Sequence, residues 1–349
     1  MKKVLLCLLA ASSLLPACQK DDPTPGATDV TAELDAIGQT VILGTYQQLD
    51  DKAGALVERL SALETSPGSP NLDAARQAWR DARLPWEQAE GFLFGPVDQQ
   101  GIDPAIDSWP VNQVDLDNVL NSGSALTKEY IDAQEGTVKG FHTIEYLIFG
   151  ATGAKTVGDF TPREFEYLRA CAQSLKGETA KLVQAWSPAG GDFLKNIRQA
   201  GTAASIYPSQ KAALQEVVNG MVTIADEVAN GKINDPFTQQ NVTLEESRFS
   251  ANSKADFADN IRSIRNIYFG TTNGTIGQSL SQLAASRQPA LDTKMKEQLQ
   301  AAILAIENIP GTFTTAIFDA PGAVQDAQNK VRLLQETLQG EVLNFVQTL

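Results

Sequence analysis

The sequence Gly140-Phe141-His142-Thr143-Ile144-Glu145-Tyr146-Leu147-Ile148-Phe149 is apolar on most of its faces when it is placed on a helix. A helix of that kind is normally buried, and its polar side chains must find partners inside the protein. His142 and Glu145 are three residues apart, so they project from the same helical face. Gly150 follows the last apolar residue, where a glycine commonly ends a helix. We therefore expect a buried helix that carries an imidazole and a carboxylate.

Apolar residues recur at helical spacing on both sides of this segment, and the alternation typical of strands is scarce. Before it, the predicted helices are residues 31–63, residues 72–94, closed by Gly95-Pro96, and residues 113–120. After it they are residues 161–186, 209–230, 255–269, 279–285, 291–307 and 323–349. Residues 96–112 contain Pro96, Gly101, Pro104 and Pro110 and are predicted not to form regular helix. The chain is therefore predicted to be all-α.

The length of the chain favours two domains, because about 320 residues exceed what one core usually serves. Ser187-Pro188-Ala189-Gly190-Gly191 is the strongest internal break. We predict an N-terminal helical bundle over residues 31–190 and a C-terminal one over residues 191–349. The segments 90–95 and 265–270 both end a helix with aromatic residues and a glycine. That similarity suggests a pseudo-repeat from internal duplication.

The N-terminus resembles a bacterial lipoprotein signal peptide. Lys2 and Lys3 precede a short apolar stretch, which Leu15-Pro16-Ala17-Cys18 closes. Residues 1–17 would be removed, Cys18 would be lipidated, and residues 18–30 would form a tether. Gln19-Lys20-Asp21-Asp22 is similar to the export signal of Bacteroidetes lipoproteins. We expect an outer-membrane lipoprotein that is surface-exposed or else on the periplasmic face, with the lipid as its only membrane contact.

Charge and cysteine content exclude several kinds of site. Losing Lys2 and Lys3 with the signal peptide would take the formal net charge from −14 to −16. So acidic a chain argues against nucleic acid as a partner, because phosphate binding needs basic patches. Cys7 would leave with the signal peptide and Cys18 would carry lipid. Cys171 would then be alone, which excludes an internal disulfide and a zinc site of cysteines.

The His142–Glu145 pair has three interpretations: a metal site, an acid/base pair or a structural hydrogen bond. His142 is the one histidine of the chain, whereas zinc peptidase sites of this type need a further histidine. Iron accepts shells rich in oxygen, so iron, or zinc, could use the pair together with carboxylates from other helices. The candidate carboxylates are Glu87, Glu90, Asp103 and Asp107. Glu87 could instead face solvent, and Asp103 could instead form a turn.

Three blocks of the sequence resemble the imelysin-like family. Residues 140–145 match its Gly-x-His-x-x-Glu motif. The second block runs from Trp79-Arg80 through Glu90-Gly91-Phe92-Leu93-Phe94-Gly95-Pro96 to Asp103-Pro104-Ala105-Ile106-Asp107-Ser108-Trp109-Pro110. The third runs from Ser247-Arg248-Phe249-Ser250 through Asp256-Phe257 to Asn266-Ile267-Tyr268-Phe269-Gly270. The family includes an insulin-cleaving metallopeptidase-like protein and iron-regulated proteins of bacterial envelopes.

The resemblance implies a site near the junction of two bundles and a role in iron uptake. His142 and Glu145 would be its core pair, and Gly140 would let a neighbouring helix or a ligand approach closely. The other matching positions are Glu90, Asp107 and Trp109 in the second block, and Arg248, Ser250, Ser253 and Asn260 in the third. Arg248 would either bind an anionic ligand or lock the bundles together.

Three functional hypotheses follow. The favoured one is an envelope protein that binds a metal or an iron-bearing ligand, with other envelope iron-uptake proteins as candidate partners. The next is a non-catalytic interaction lipoprotein in which His142 and Glu145 form only a structural pair. The last is a metallopeptidase, against which the single histidine argues. The sequence leaves the metal's identity and occupancy open.

Overall fold

The computed structural model describes residues 28–349, most of which are helical, and within that range there is no β-strand. The all-α prediction is therefore confirmed. The predicted signal peptide, Cys18 and residues 19–27 of the predicted tether lie outside the described residues. Within the same range, no helix is both long enough and apolar enough to cross a membrane.

Between residue 28 and the predicted break at residues 187–191, the chain forms eight helices. The first begins with Thr31–Asp35, passes through a π-helical segment, Ala36–Leu43, and continues over Gly44–Thr65; we call all three parts α1. The others are α2 (Ser69–Glu87), α3 (Pro96–Gln99), α4 (Ile102–Ile106), α5 (Gln113–Asn121), α6 (Lys128–Asp132), α7 (Gly140–Phe149) and α8 (Pro162–Trp186). Short 3-10 turns cover Glu90–Phe92, Gly136–Val138 and Val157–Asp159.

Eight helices follow the break. They are α9 (Leu194–Arg198), α10 (Gln210–Glu227, extended by the π-helical Val228–Lys232), α11 (Asn234–Gln239), α12 (Ser253–Phe269), α13 (Leu280–Arg287), α14 (Pro289–Glu307), α15 (Phe313–Asp319) and α16 (Pro321–Thr337, extended by the π-helical Leu338–Val342 and by Leu343–Gln347). A 3-10 turn covers Val242–Leu244.

The long helices pack as two bundles. In the first, α1, α2, α7 and α8 surround one core, and in the second α10, α12, α14 and α16 do the same. The bundles meet where α2 packs on α12 and where the turn Glu90–Phe92 packs on α10. Their buried apolar residues form one continuous cluster. The boundary near residue 190 and the internal duplication stay predictions.

The start of α8 shows how a local signal sets a helix end. Thr161 accepts a hydrogen bond from the backbone N–H of Glu164, and the Glu164 carboxylate accepts one from the backbone N–H of Thr161. Pro162 stands at the first helical position, where no N–H is needed. The predicted helix over residues 161–186 is confirmed.

Two predictions around residues 87–112 were wrong. The second helix ends at Glu87 rather than near Phe94, because the chain turns so that Gly91 lies against Ser263 and Gly220 of the other bundle. The predicted irregular stretch contains α3 and α4. Their prolines, Pro96 and Pro104, lie in the first turn, where the missing N–H has no helical partner to lose.

Candidate metal centre

Gly140 brings the His142 helix against α4. Its φ is +74°, in the left-handed region, and a Cβ at this position would lie 2.3 Å from the carbonyl oxygen of Ile106. Only glycine permits that backbone conformation and that approach without strain. Asp107 directly follows Ile106, so the close contact places Asp107 beside the first turn of α7.

His142 contacts carboxylates through both ring nitrogens. Nδ1 lies 3.2 Å from Oε2 of Glu145, whose other oxygen accepts hydrogen bonds from the backbone N–H and hydroxyl of Ser250. Nε2 lies 3.2 Å from Oδ1 of Asp107 and 3.8 Å from Oε1 of Glu246, but makes no well-directed hydrogen bond. Burial alone would lower the pKa of His142, but its contacts with Asp107 and Glu145 outweigh burial and raise the pKa to about 10. Without metal, His142 is therefore an imidazolium at neutral pH.

Arg83 is fully buried among carboxylates. Its guanidinium pairs with Glu87 and Asp107 and lies 2.9 Å from Oε1 of Glu246. Trp86 donates from Nε1 to the second oxygen of Asp107 at 2.6 Å. Burial would raise the pKa of Asp107, but the charges of Arg83 and His142 hold it well below its usual range. Asp107 is therefore a permanent anion that already has three partners.

Lys232 is the second buried cation. Its ammonium lies 2.8 Å from Oε2 of Glu90, 3.1 Å from Oε2 of Glu246 and 3.7 Å from Oε2 of Glu87. Asn260 donates from Nδ2 to Glu87 and Glu90 at 2.7 and 2.9 Å. Burial nevertheless raises the pKa of Glu87 and of Glu90 well above the ordinary range. Burial thus favours the neutral form of these two carboxyl groups, while Lys232 and Arg83 favour the charged form.

These groups form one buried network between the bundles, which we call the junction cluster. Its members are Arg83, Glu87, Glu90, Asp107, His142 and Glu145 from the first half of the chain and Lys232, Glu246 and Asp256 from the second. Six carboxylates share the cluster with three cationic groups. An excess of buried negative charge must be offset by protons or by a bound cation.

Two sets of donor atoms within the cluster are close enough to share one ion. Asp107, His142 and Glu246 form the first, and Glu87, Glu90, Asp107 and Glu246 form the second; in each set the ligand atoms lie within 4.8 Å of one another. Arg83 and Lys232 pair with the carboxylates of the second set, and Arg83 also pairs with Asp107 and Glu246, which belong to both sets. The first set combines one imidazole nitrogen with two carboxylates, a donor set that suits iron or zinc.

The residues of the first set fit a metal ion. His142 is 2% exposed, and its Nε2 lies 3.2 Å from Asp107 without a well-directed hydrogen bond, although buried ring nitrogens normally have one. Glu145, on the Nδ1 side, is placed to orient the ring, as carboxylates behind metal-binding histidines do. A cavity of ≈ 10 Å³, room for one water molecule, adjoins His142 and Glu145, and neither Asp107 nor Glu246 lines it.

The structure brings most of the predicted residues to this junction. The Trp109 ring lies 6.3 Å from the imidazole of His142. Ser253 donates to Oε1 of Glu245 at 2.7 Å and so holds the segment that carries Glu246. Arg248 lines the small cavity. Of the other predicted metal ligands, Glu145 contacts Nδ1 of the imidazole and Glu90 pairs with Lys232.

Sequence reasoning missed Arg83, Lys232 and Glu246. Arg83 and Glu87 are four residues apart on a helix whose neighbouring residues are tryptophan, alanine and leucine, which is a weak signal of a buried ion pair. Glu246 directly precedes the Ser247-Arg248 block. No pattern in the sequence around Lys232 indicates that this lysine is buried. Asp103, by contrast, is not a member of either donor set; burial raises its pKa to about 7.

Fold and site together define a class: an all-helical protein of two bundles with a buried histidine–carboxylate cluster at their junction. The chain belongs to the imelysin family (peptidase M75), whose family model matches residues 42–338. The resemblance seen in the sequence is thereby confirmed.

Individual relatives agree with this membership. The chain is 32% identical to iron-regulated protein A of Synechococcus elongatus over 88% of this chain and 84% of that protein. A crystal structure from Parabacteroides distasonis, described as an iron-regulated protein A precursor, superposes with a TM-score of 0.84 at 26% identity, covering 92% of this chain and 97% of that one. An imelysin-like protein from Psychrobacter arcticum shares the fold, with a TM-score of 0.74 at 12% identity and coverage of 91% and 95%.

Proposed function

We propose that this chain is an iron-related protein of the bacterial cell envelope that holds one metal ion at the junction of its bundles, with Asp107, His142 and Glu246 as ligands. One observation carries the proposal: the buried Nε2 of His142 lies 3.2 Å from Asp107 and 3.8 Å from Glu246, one carboxylate from each half of the chain, without a well-directed hydrogen bond to either. The name of the Synechococcus relative, iron-regulated protein A, supports iron as the first metal to test, with zinc as the alternative.

Metal binding at this site would exchange a proton for the ion. Metal-bound imidazole is neutral, so His142 must give up the proton that Asp107 and Glu145 hold on it. Arg83 would lose part of its contact with Asp107 and Glu246, because both carboxylates would also face the ion. Affinity should therefore rise with pH.

The envelope location is part of the same proposal. It rests on the signal-peptide pattern of residues 1–17, the lipidation candidate Cys18 and the acidic residues after it. The protein would be held at the outer membrane by lipid alone, surface-exposed or on the periplasmic face. An iron-bearing ligand and other envelope iron-uptake proteins are its proposed partners.

Elemental analysis tests the metal centre. Protein purified from its own host without chelators should contain about one iron or zinc per chain, and His142→Ala should contain none. Arg169→Ala, which alters only a surface ion pair with Glu64, is the control and should keep the metal. Metal-free wild-type protein, or His142→Ala with undiminished metal, would contradict the proposal.

A second candidate is an interaction lipoprotein whose junction cluster only holds the bundles together. The observation in its favour is that Arg83 and Lys232 already neutralise much of the acidic charge. Under this alternative, His142→Ala lowers the free energy of unfolding and the protein binds no metal under any condition.

The geometry gives the metallopeptidase alternative less support. A general base needs a free carboxylate, whereas Oε1 of Glu145 accepts two hydrogen bonds from Ser250 and Oε2 contacts His142. Peptide-library cleavage that is chelator-sensitive and absent in Glu145→Gln would restore this alternative.

A further inference from the structure

The three proposed metal ligands are closed off from solvent. Their exposed fractions are 4% for Asp107, 2% for His142 and 0% for Glu246. An ion in solution therefore cannot reach Nε2 of His142 unless some part of the protein moves first. Entry of the metal thus depends on the group that covers this end of the junction cluster.

Trp109 covers the cluster beside these ligands. It follows Asp107 by two residues, and its ring lies 6.3 Å from the imidazole of His142. The ammonium of Lys232 lies 5.3 Å from the centroid of the same ring and 3.1 Å from Oε2 of Glu246. The indole therefore adjoins both the imidazole and the cation that pairs with Glu246.

Trp109 reaches solvent, unlike the other three tryptophans of the chain. It is half-buried, whereas Trp79, Trp86 and Trp186 are fully buried. The indole N–H groups of Trp79 and Trp86 make buried hydrogen bonds, but that of Trp109 is not buried and has no acceptor among residues 28–349. One part of the Trp109 side chain thus meets the cluster and another part meets water.

The segment that carries Trp109 is weakly held. Residues 108–111 lie between α4 and α5, and in the described part of the chain their backbone N–H and C=O groups make no hydrogen bond to the protein. Segments with so few hydrogen bonds open at a low cost in free energy. The backbone is hydrogen-bonded again at Asn112, whose N–H donates to the carbonyl oxygen of Thr137. Movement can therefore be confined to the few residues around Trp109.

We propose that Trp109 is a gate: its indole swings aside to admit water or a metal ion to His142, and then closes over the site. The part of this inference that concerns metal rests on the proposed metal centre. The indole N–H is a donor only, so it cannot itself bind the ion.

A gate acts on rates and leaves affinity alone. Because it makes no bond to the ion, it raises the barrier to entry and the barrier to exit by the same amount. Removing the indole should therefore raise the association rate and the dissociation rate by one common factor. The Kd, which is the ratio of the two rates, should stay the same.

Exchange of the His142 ring protons tests the gate without metal. His142 is the one histidine of the chain, so its ring N–H signals are unambiguous in an NMR spectrum of the tag-free protein. These protons exchange with solvent when water reaches the ring. In Trp109→Leu, which removes the indole but keeps an apolar side chain, the exchange should be about tenfold faster than in the wild type.

Anaerobic stopped-flow mixing with Fe²⁺ tests the gate with metal, while a chelating dye reports the free ion. In Trp109→Leu the association and dissociation rates should both rise about tenfold, with the Kd of the wild type. Phe160→Leu is the matched control, because Phe160 is also a half-buried ring with a lysine ammonium 4.1 Å from its centroid and does not belong to the junction cluster. It should behave as the wild type does in both experiments.

The outcomes separate the gate from other roles of Trp109. A weaker Kd with an unchanged association rate would make Trp109 part of the binding site, and unchanged exchange and rates would mean that another group covers the site. Either result overturns the gate and leaves the metal centre standing. A wild-type protein that binds no Fe²⁺ overturns the metal centre, and the ring-proton exchange then decides for or against the gate. Should Trp109→Leu fail to fold, Trp109→Phe replaces it, with smaller changes expected in the same direction.

Discussion

His142 is held between a carboxylate that orients it and carboxylates that could share a metal with it. Glu145 fixes the ring through Nδ1, and Asp107 and Glu246 lie on the Nε2 side. In the metal-free protein, the positive charge of the protonated His142 offsets part of the charge of these carboxylates. His142 would lose that proton when a metal binds, so its charge changes most.

The stability of the metal-free protein should depend on the proton of His142. Its pKa is about 10 in the folded protein and 6.5 ordinarily, so the folded state binds more protons between these values. The resulting stabilisation is complete below about pH 6.5 and is lost as pH rises towards 10, at most ~5 kcal/mol. Urea unfolding of apo protein across this range should show the decline, and His142→Asn should show a smaller one. Parallel curves for the two proteins would contradict this pKa.

Glu145 should act on the metal through His142. Because Glu145→Gln weakens the acceptor behind Nδ1 while preserving shape, metal affinity should fall about 10- to 100-fold. Calorimetric titration measures this, with the exposed Glu129→Gln as the control. Unchanged affinity in Glu145→Gln would remove Glu145 from the centre.

At the scale of elements, the contact between α4 and α7 positions Asp107 beside His142, and Gly140 makes it possible. The sequence motif indicated that Gly140 permits a close approach, but it did not identify what approaches. In the structure, it is the backbone of Ile106 that approaches Gly140.

Gly140→Ala should be more damaging than an equivalent change elsewhere. The alanine would have to adopt a positive φ and its Cβ would meet the Ile106 carbonyl oxygen, so we expect a loss of roughly 2–4 kcal/mol. Gly101→Ala is the matched control, since φ is +61° there but a Cβ meets nothing within 4 Å. It should cost about 1 kcal/mol. Equal losses in thermal or urea unfolding would show that the α4–α7 contact can relax.

At the scale of the whole molecule, the junction cluster links the two bundles through buried charge. Arg83 and Glu246 are 163 residues apart in sequence and 2.9 Å apart in space. Pairs of this kind are costly to break, because removing one member leaves the other buried without a partner.

Arg83→Met should therefore lower the free energy of unfolding by roughly 3–5 kcal/mol. Arg169→Met, which breaks the exposed pair with Glu64, should cost about 1 kcal/mol or less. Urea unfolding of the two variants makes the comparison. Similar small losses in both would mean that the cluster does not hold the bundles together.

The sequence predicted the features that depend on residues close together along the chain. Apolar spacing and the Thr161–Glu164 capping pattern predicted the helices, and the composition of residues 140–149 predicted a buried His142. Early termination of α2 could not be predicted, because it depends on Gly91 meeting Gly220 of another helix. Glu246 and Lys232 were missed for the same reason: they join the cluster only through packing of one bundle on the other.

The central claim is a metal ion shared by Asp107, His142 and Glu246, and anomalous diffraction from crystals grown with Fe²⁺ or Zn²⁺ tests it most directly. We predict one strong peak at about 2.0–2.2 Å from Nε2 of His142 and within bonding distance of both carboxylates. The peak should be absent in crystals of His142→Asn. A map with no peak at the junction, and with the imidazole still in contact with Asp107, would contradict the account.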